Sequence, residues 1–296
     1  MKIGTYLIKG PGSDEERLRK LKAAGFDFVC FNGQLFRGTS TIEMCEKIGL
    51  EVENIHLSGP KTTKIWSEGE EGDVVTERYC DEIRQASELG VHVGIAHITW
   101  GFSVPAPISQ IGLDRYAKIA ETATKYGFTL ALENSVYPEY LHKVLNEYKI
   151  PAFGHCFDTG HRNAFAPNED FLSLYGDRLV ATHVQDNDAK HDLHVIPFDG
   201  TADWNKIARE FAGTEYGRNK ICAEVAAPRV MPFPDKTAEE LSADFSSLAI
   251  WGTDMVKVRD GEVEFYSGIG YEEFVARVYA ALSRFAGLIE EEKAKL

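Results

Sequence analysis

Six short apolar runs in this chain each stop at a residue able to bind a metal ion. Val-Glu-Asn-Ile ends at His56, Val-Gly-Ile-Ala at His97 and Thr-Leu-Ala-Leu at Glu133. Phe-Gly-His-Cys-Phe ends at Asp158, with His161 three residues on, while Leu-Val-Ala-Thr ends at His183 and Lys-Ile-Cys-Ala at Glu224. Carboxylates and imidazoles gathered at one point suit a divalent cation that keeps positions open for substrate or water. Glu133, Asp158, His183 and Glu224 stand on four successive runs, so their three carboxylates bring a formal charge of −3 to one place. A +2 ion offsets the repulsion that would otherwise force one of them to protonate. The oxygen-rich set favours Mn²⁺ or Mg²⁺, and the imidazole leaves Zn²⁺, Co²⁺ and Fe²⁺ open.

Six runs sharing one ending imply strands whose C-terminal tips converge. The strands read from the sequence are Lys2–Tyr6, Phe28–Phe31, Val52–His56, Val91–His97, Thr129–Glu133, Ala152–Asp158, Leu179–Gln185 and Lys220–Val225. Several are continuous apolar runs, as strands buried on both faces should be. Amphipathic segments fill the gaps: Asp14–Ala24, Thr41–Ile48, Val75–Leu89, Leu113–Tyr126, Tyr137–Glu147, Glu169–Tyr175, Trp204–Phe211 and Tyr271–Glu291. The first four end before Gly25, Gly49, Gly90 and Gly127, in the position where glycine stops a helix. Eight βα repeats without a linker predict an α/β fold, a single (β/α)8 TIM barrel spanning residues 1–296, with its chemistry at the C-terminal face. Residues 228–270 exceed what one loop needs and read as an insertion before the last helix, a lid or an oligomer contact.

Composition narrows the function. The chain has 296 residues, 44% of them hydrophobic, and a net charge of −14. Such a surface repels a phosphate backbone, so no nucleic-acid partner is expected. The N-terminus has no long apolar stretch and no run approaches 18 apolar residues, so a cytoplasmic location and no membrane partner are expected. Five cysteines, Cys30, Cys45, Cys80, Cys156 and Cys222, have neither even number nor CxxC spacing, which argues against disulfides or a zinc ribbon. No GxGxxG follows the first strand and no GxSxG is present, which removes the usual signs of dinucleotide binding and of serine nucleophiles.

The local words carry a resemblance. Ala-Leu-Glu133-Asn134, Phe-Asp158-Thr-Gly-His161, Thr-His183-Val-Gln-Asp186-Asn-Asp188, Asp192-Leu-His194, Asp203-Trp204 and Ala-Glu224-Val together resemble the xylose isomerase-like TIM barrel superfamily. That group holds sugar phosphate isomerases and epimerases and also endonuclease IV. The similarity runs from about Met1 to Pro228 and takes in the last helix. It implies that Glu133, Asp158, His183 and Glu224 bind one divalent cation (Mn, Zn, Mg or Co). It also implies that Glu133 and Glu224 are the acid/base pair of a carbohydrate isomerase or epimerase working through a metal-stabilised enediolate. His56, His97, Trp100, His161, Asp186, Asp192 and His194 are then groups that bind substrate or orient the ligands. The sugar epimerases of the group place an arginine soon after the His183 position. Here none lies between Arg178 and Arg209, so their substrate preference does not carry over.

Asp192-Leu-His194 resembles endonuclease IV instead. Each of its nine zinc ligands has a counterpart here: His56, His97, Glu133, Asp158, His161, His183, Asp192, His194 and Glu224. That alternative implies three zinc ions and phosphodiester hydrolysis. An inosose-type dehydratase and a non-catalytic sugar-binding protein are further alternatives. The expected partner is a small carbohydrate, with a homo-oligomer as a possible assembly. Lys9 and Lys190 are candidates for meeting a phosphate or carboxylate, and His92, His142, His155 and His191 read as ordinary packing or surface residues.

Overall fold

The computed structural model describes residues 1–33, 38–102, 104–225, 256–259, 262–265 and 269–296. The strands are β1 (Lys2–Tyr6), β2 (Phe28–Asn32), β3 (Glu51–His56), β4 (Val93–His97), β5 (Thr129–Glu133), β6 (Phe153–Asp158), β7 (Leu179–His183) and β8 (Lys220–Ala223). They lie parallel in the order β7-β6-β5-β4-β3-β2-β1-β8. The ring closes where Val184 N donates to Cys222 O at 2.8 Å and Glu224 N to Val184 O at 3.3 Å. This is a (β/α)8 barrel, and closure leaves the sheet no free edge.

Around it run α1 (Asp14–Ala24), α2 (Thr39–Ile48), α3 (Glu70–Glu88), α4 (Gln110–Lys125), α5 (Pro138–Glu147), α6 (Thr159–Phe165), α7 (Phe171–Tyr175), α8 (Trp204–Ala212) and α9 (Tyr271–Lys293). Local chemistry sets their ends. Ser13 and Glu16 form a capping box at the start of α1, and Gly25 stops it at φ 113°, a conformation that favours glycine. Strand alternation divides the core in two. Phe28, Cys30, Ile95, Cys156 and Cys222 fill the lumen. Outward residues such as Val29, Phe153 and Phe157 pack with the helices, among them Phe274, Val278 and Leu282 of α9.

Helix α3 begins five residues earlier than its apolar stripe suggests, because Glu70, Glu71 and Asp73 suit the positive end of the helix dipole. α4 begins at Gln110 because Ser109 caps it. β7 is shorter than the apolar run, since Gln185 turns away to bond Thr159. α6 was not expected. Asp158 starts it by accepting from His161 N at 2.6 Å, so a strand tip doubles as a helix cap.

Of the expected insertion, the described part is an antiparallel hairpin, β9 (Val256–Arg259) with β10 (Glu262–Phe265), plus residues 269–270. The rest of 228–270 lies outside the described residues. Among those described, no helix is long and apolar enough to cross a membrane, and the five cysteines are free.

Candidate metal centre and cavity

The strand tips, helix α6 and the loop after β7 bring the expected ligands together in three groups. Glu133, Asp158, His183 and Glu224 form one; His56, His97 and Glu133 form a second; His161, Asp192 and His194 form a third. Within each, the donor atoms lie within 4.8 Å of one another. Strand register explains the first two: His97 is paired with Glu133 across β4 and β5, and Asp158 with His183 across β6 and β7.

His183 lies at the centre of the first group. Its Nδ1 is 2.7 Å from Glu133 Oε1, 2.9 Å from Glu224 Oε2 and 3.8 Å from Asp158 Oδ2. Its Nε2 is 3.0 Å from the Tyr6 hydroxyl. Glu133 joins two groups, because its Oε1 faces His183 while its Oε2 faces His97 Nε2 at 2.9 Å and His56 Nε2 at 3.4 Å. Glu133 is fully buried, and Oε2 has no hydrogen-bond partner.

Three other histidines share one pattern. The Nδ1 of His56 lies 2.8 Å from Leu57 O, that of His161 2.9 Å from Asn134 O, and that of His194 3.0 Å from Glu224 O. A carbonyl only accepts, so each Nδ1 carries the proton. Each Nε2 is then a lone pair aimed at a carboxylate: Glu133 for His56, and Asp192 at 3.2 Å for both His161 and His194. Lone pairs facing lone pairs repel unless a proton or a cation sits between them. Backbone carbonyls fixing the far nitrogen are the usual orientation of metal-binding histidines. The donor set and the orphaned Glu133 oxygen therefore fit a divalent cation.

Without a cation, protons hold the charge balance. Burial works against the charge on Glu224, yet His183 and His194 hold its carboxyl down at about 2. Burial likewise opposes a charge on His194, but Asp192 lifts its imidazole to about 10. Burial pushes Asp158 up to about 7 despite nearby His161. Burial lowers His97 and keeps its ring neutral. Cation binding displaces such protons, so uptake should release acid.

Other groups hold this array in place. Gln185, fully buried, donates to Asp192 Oδ1 at 3.0 Å and to Asp158 at 3.3 Å, and accepts from His194 N at 3.2 Å. It ties the first group to the third, and Gly160 leaves it room: a Cβ there would lie 2.3 Å from its amide. His194 takes a left-handed φ of 50°, an unfavourable conformation that these contacts support. Neither Gln185 nor Tyr6 was singled out in the sequence. Strand periodicity held the signal for both, since Gln185 lies two residues past His183 and Tyr6 ends β1 as the ligands end other strands.

Asp186 departs from its expected part. Its buried carboxylate accepts from Trp204 Nε1 at 2.8 Å and from the backbone of Asn187, Phe198 and Ala202. It organises the loop that carries Asp192 and His194 instead of meeting substrate or His183. Asp188 caps the same loop through His191.

A cavity of 280 Å³ opens over the groups, among the described residues. His56, His97, His161, Asp192, His194 and Glu224 line it; Trp100 and Lys9 stand at its wall. Trp100 stacks on His97 at 5.1 Å and lies over Gly59, where a Cβ would come within 1.7 Å of the indole. The volume suits a small molecule.

The model of the xylose isomerase-like TIM barrel family matches residues 18–246, well over half of the chain. The chain belongs to that family. Among solved structures of this barrel type, D-psicose 3-epimerase from Clostridium cellulolyticum H10, determined with D-tagatose, superposes with a TM-score of 0.72. It is 14% identical, covering 98% of this chain and 99% of that one. An L-ribulose 3-epimerase gives 0.70 at 18% identity, covering 100% and 97%. The IolI protein, solved with a zinc atom, gives 0.67 at 14%, covering 97% and 98%. At these identities the likeness speaks for the fold. The uncharacterized protein y4fM of Sinorhizobium fredii is 39% identical over 75 residues. That match spans 25% of this chain and only about a quarter, 24%, of the relative's length.

Proposed function

We propose that this family member is a divalent-metal-dependent isomerase or epimerase of a small sugar, sugar phosphate or related polyol ketone. The observation that carries the reading is the four-donor group at the foot of a cavity of 280 Å³, with Glu224 open to it. The 3-epimerases of the same barrel type support it. Glu133, Asp158, His183 and Glu224 would hold the cation, which when bound supplies the positive charge that stabilises an enediolate. Glu224 takes the proton from the carbon next to the carbonyl. Glu133, which meets the same His183 Nδ1 at 2.7 Å and whose Oε2 lies 2.9 Å from His97 Nε2, returns a proton. His161 and Asp192 bond substrate hydroxyls, and Trp100 offers a flat face to the sugar ring.

The test is exchange in D2O with D-psicose, D-tagatose and L-ribulose, sugars that the structural neighbours' names carry. Deuterium should appear at the α carbon with the wild type and not with Glu224→Gln. No exchange with any ketose or its phosphate would remove the reading.

One observation favours a second reading. Glu133 divides its oxygens between two donor groups, and Asp192 with His161 and His194 makes a third. In a three-zinc phosphodiesterase of the kind the sequence resembles, these groups would hold the three ions, which would supply a hydrolytic nucleophile. Three zinc ions per chain with cleavage of a phosphodiester would establish it. The net charge of −14 and the small cavity favour the carbohydrate.

A further inference from the structure

Below the four-donor group a chain of hydrogen bonds crosses the lumen. His183 Nε2 lies 3.0 Å from the Tyr6 hydroxyl, which donates to Asn54 Oδ1 at 3.3 Å. Asn54 Nδ2 donates to Glu53 Oε2 at 3.4 Å. Glu53 is paired with Lys220 Nζ at 2.9 Å and accepts from the Tyr216 hydroxyl at 3.0 Å. Tyr6 and Asn54 are buried, at 5% and 1% exposure, so water does not compete for these contacts.

The chain has one direction. The ion-paired Glu53 carboxylate only accepts, so Asn54 turns its amide nitrogen to it and its oxygen to Tyr6. Tyr6 has one proton and gives it to that oxygen. What remains toward His183 is a lone pair, which takes a hydrogen from Nε2. His183 is then left with its lone pair on Nδ1, the atom that faces Glu133, Asp158 and Glu224. His56, His161 and His194 have backbone carbonyls for this task, and His183 has a side chain.

We infer that Tyr6 is a positioning residue for His183, and that the Tyr6–Asn54–Glu53 chain selects Nδ1 as its cation-binding atom and strengthens it as a donor. The inference rests on the reading that the four-donor group holds a cation. Removing the phenol oxygen leaves a buried N–H without an acceptor, a loss felt only through His183.

The test uses the full chain with ¹⁵N-labelled histidine and Zn²⁺ as the probe. Zinc is titrated against a competing chelator and followed at the His183 ring resonances. In the wild type, zinc should sit on Nδ1 and the Nε2 hydrogen should be protected from exchange. Tyr6→Phe should bind zinc at this site about 10- to 100-fold more weakly, with the Nε2 hydrogen exposed to exchange. Melting of the zinc-free variant separates this from a loss of fold. Asn54→Ala, which frees the Tyr6 proton, should give a smaller loss in the same direction and serves if Tyr6→Phe does not fold. Affinity within twofold of wild type in the folded variants, or zinc on Nε2, would overturn the inference alone. A wild type that takes no zinc at His183 would overturn it together with the metal reading.

Discussion

Near the bottom of the barrel the Glu53 carboxylate meets Lys220 at 2.9 Å and Tyr216 at 3.0 Å. At the mouth the Glu133 carboxylate meets four imidazoles and, among the described residues, no lysine or arginine: His56, His97, His161 and His183, all within 3.4 Å. Both carboxylates are buried in one lumen. The lower one is neutralised by a permanent cation of the chain. The upper one is surrounded by imidazoles, of which His56 and His183 are turned by Leu57 O and Tyr6 so that a lone pair faces it. A site finished with lysine is complete without a visitor, whereas a site finished with oriented imidazoles needs one. On the proposed reading, that difference, more than the number of acidic residues, makes the mouth the functional end.

The largest effects are expected at the mouth. Glu224→Gln and Glu133→Gln should each lower turnover of a true substrate by about 10²- to 10⁴-fold, the range for lost acid–base catalysis, while the protein stays folded. Steady-state rates with circular dichroism check both halves. Wild-type rates in both variants would end the proton-transfer assignment.

Charge at the bottom should behave in the opposite way. Lys220→Met leaves Glu53 buried without its cation and should cost about 1–3 kcal/mol in urea unfolding. An unchanged unfolding free energy would mean that Lys220 does not neutralise Glu53.

A histidine outside the lumen sharpens the contrast further. His155 of β6 faces α7 among Phe157, Phe171 and Tyr175, and neither ring nitrogen has a partner. Burial, helped by Arg178, lowers its imidazole to about 3. Its folded value is below the unfolded value of about 6.5, so the unfolded chain binds the proton first. Stability from this residue is fully present above about pH 6.5 and drains away as the pH falls toward 3. At pH 5 the deficit is about 2 kcal/mol. His155→Leu should therefore lose less stability than wild type between pH 7 and pH 5, by about that amount. Equal losses in both proteins would contradict it.

Much of this was legible in the sequence because barrel strands are short and buried on both faces. An apolar run ending in Glu133 or His183 can be read as a strand with its ligand at the tip. The helix stops at Gly25 and Gly49 were legible for the same local reason. What escaped depended on neighbours distant in the chain. Gln185 matters because Asp158 and Asp192 converge on it, and Tyr6 because β1 is in the ring with β7. Asp186 reads from the sequence as a substrate-binding or ligand-orienting group or as a solvated loop acid, but the loop folds back and takes its carboxylate for Trp204 and backbone amides.

On the proposed reading, Glu133, Asp158, His183 and Glu224 hold a resident cation at the mouth. Elemental analysis of the purified chain after exhaustive dialysis, paired with Asp158→Ala, tests it most directly. One tightly held divalent ion per wild-type chain, absent from the variant, is the expected result. A wild type that holds no metal and binds none on titration would contradict it.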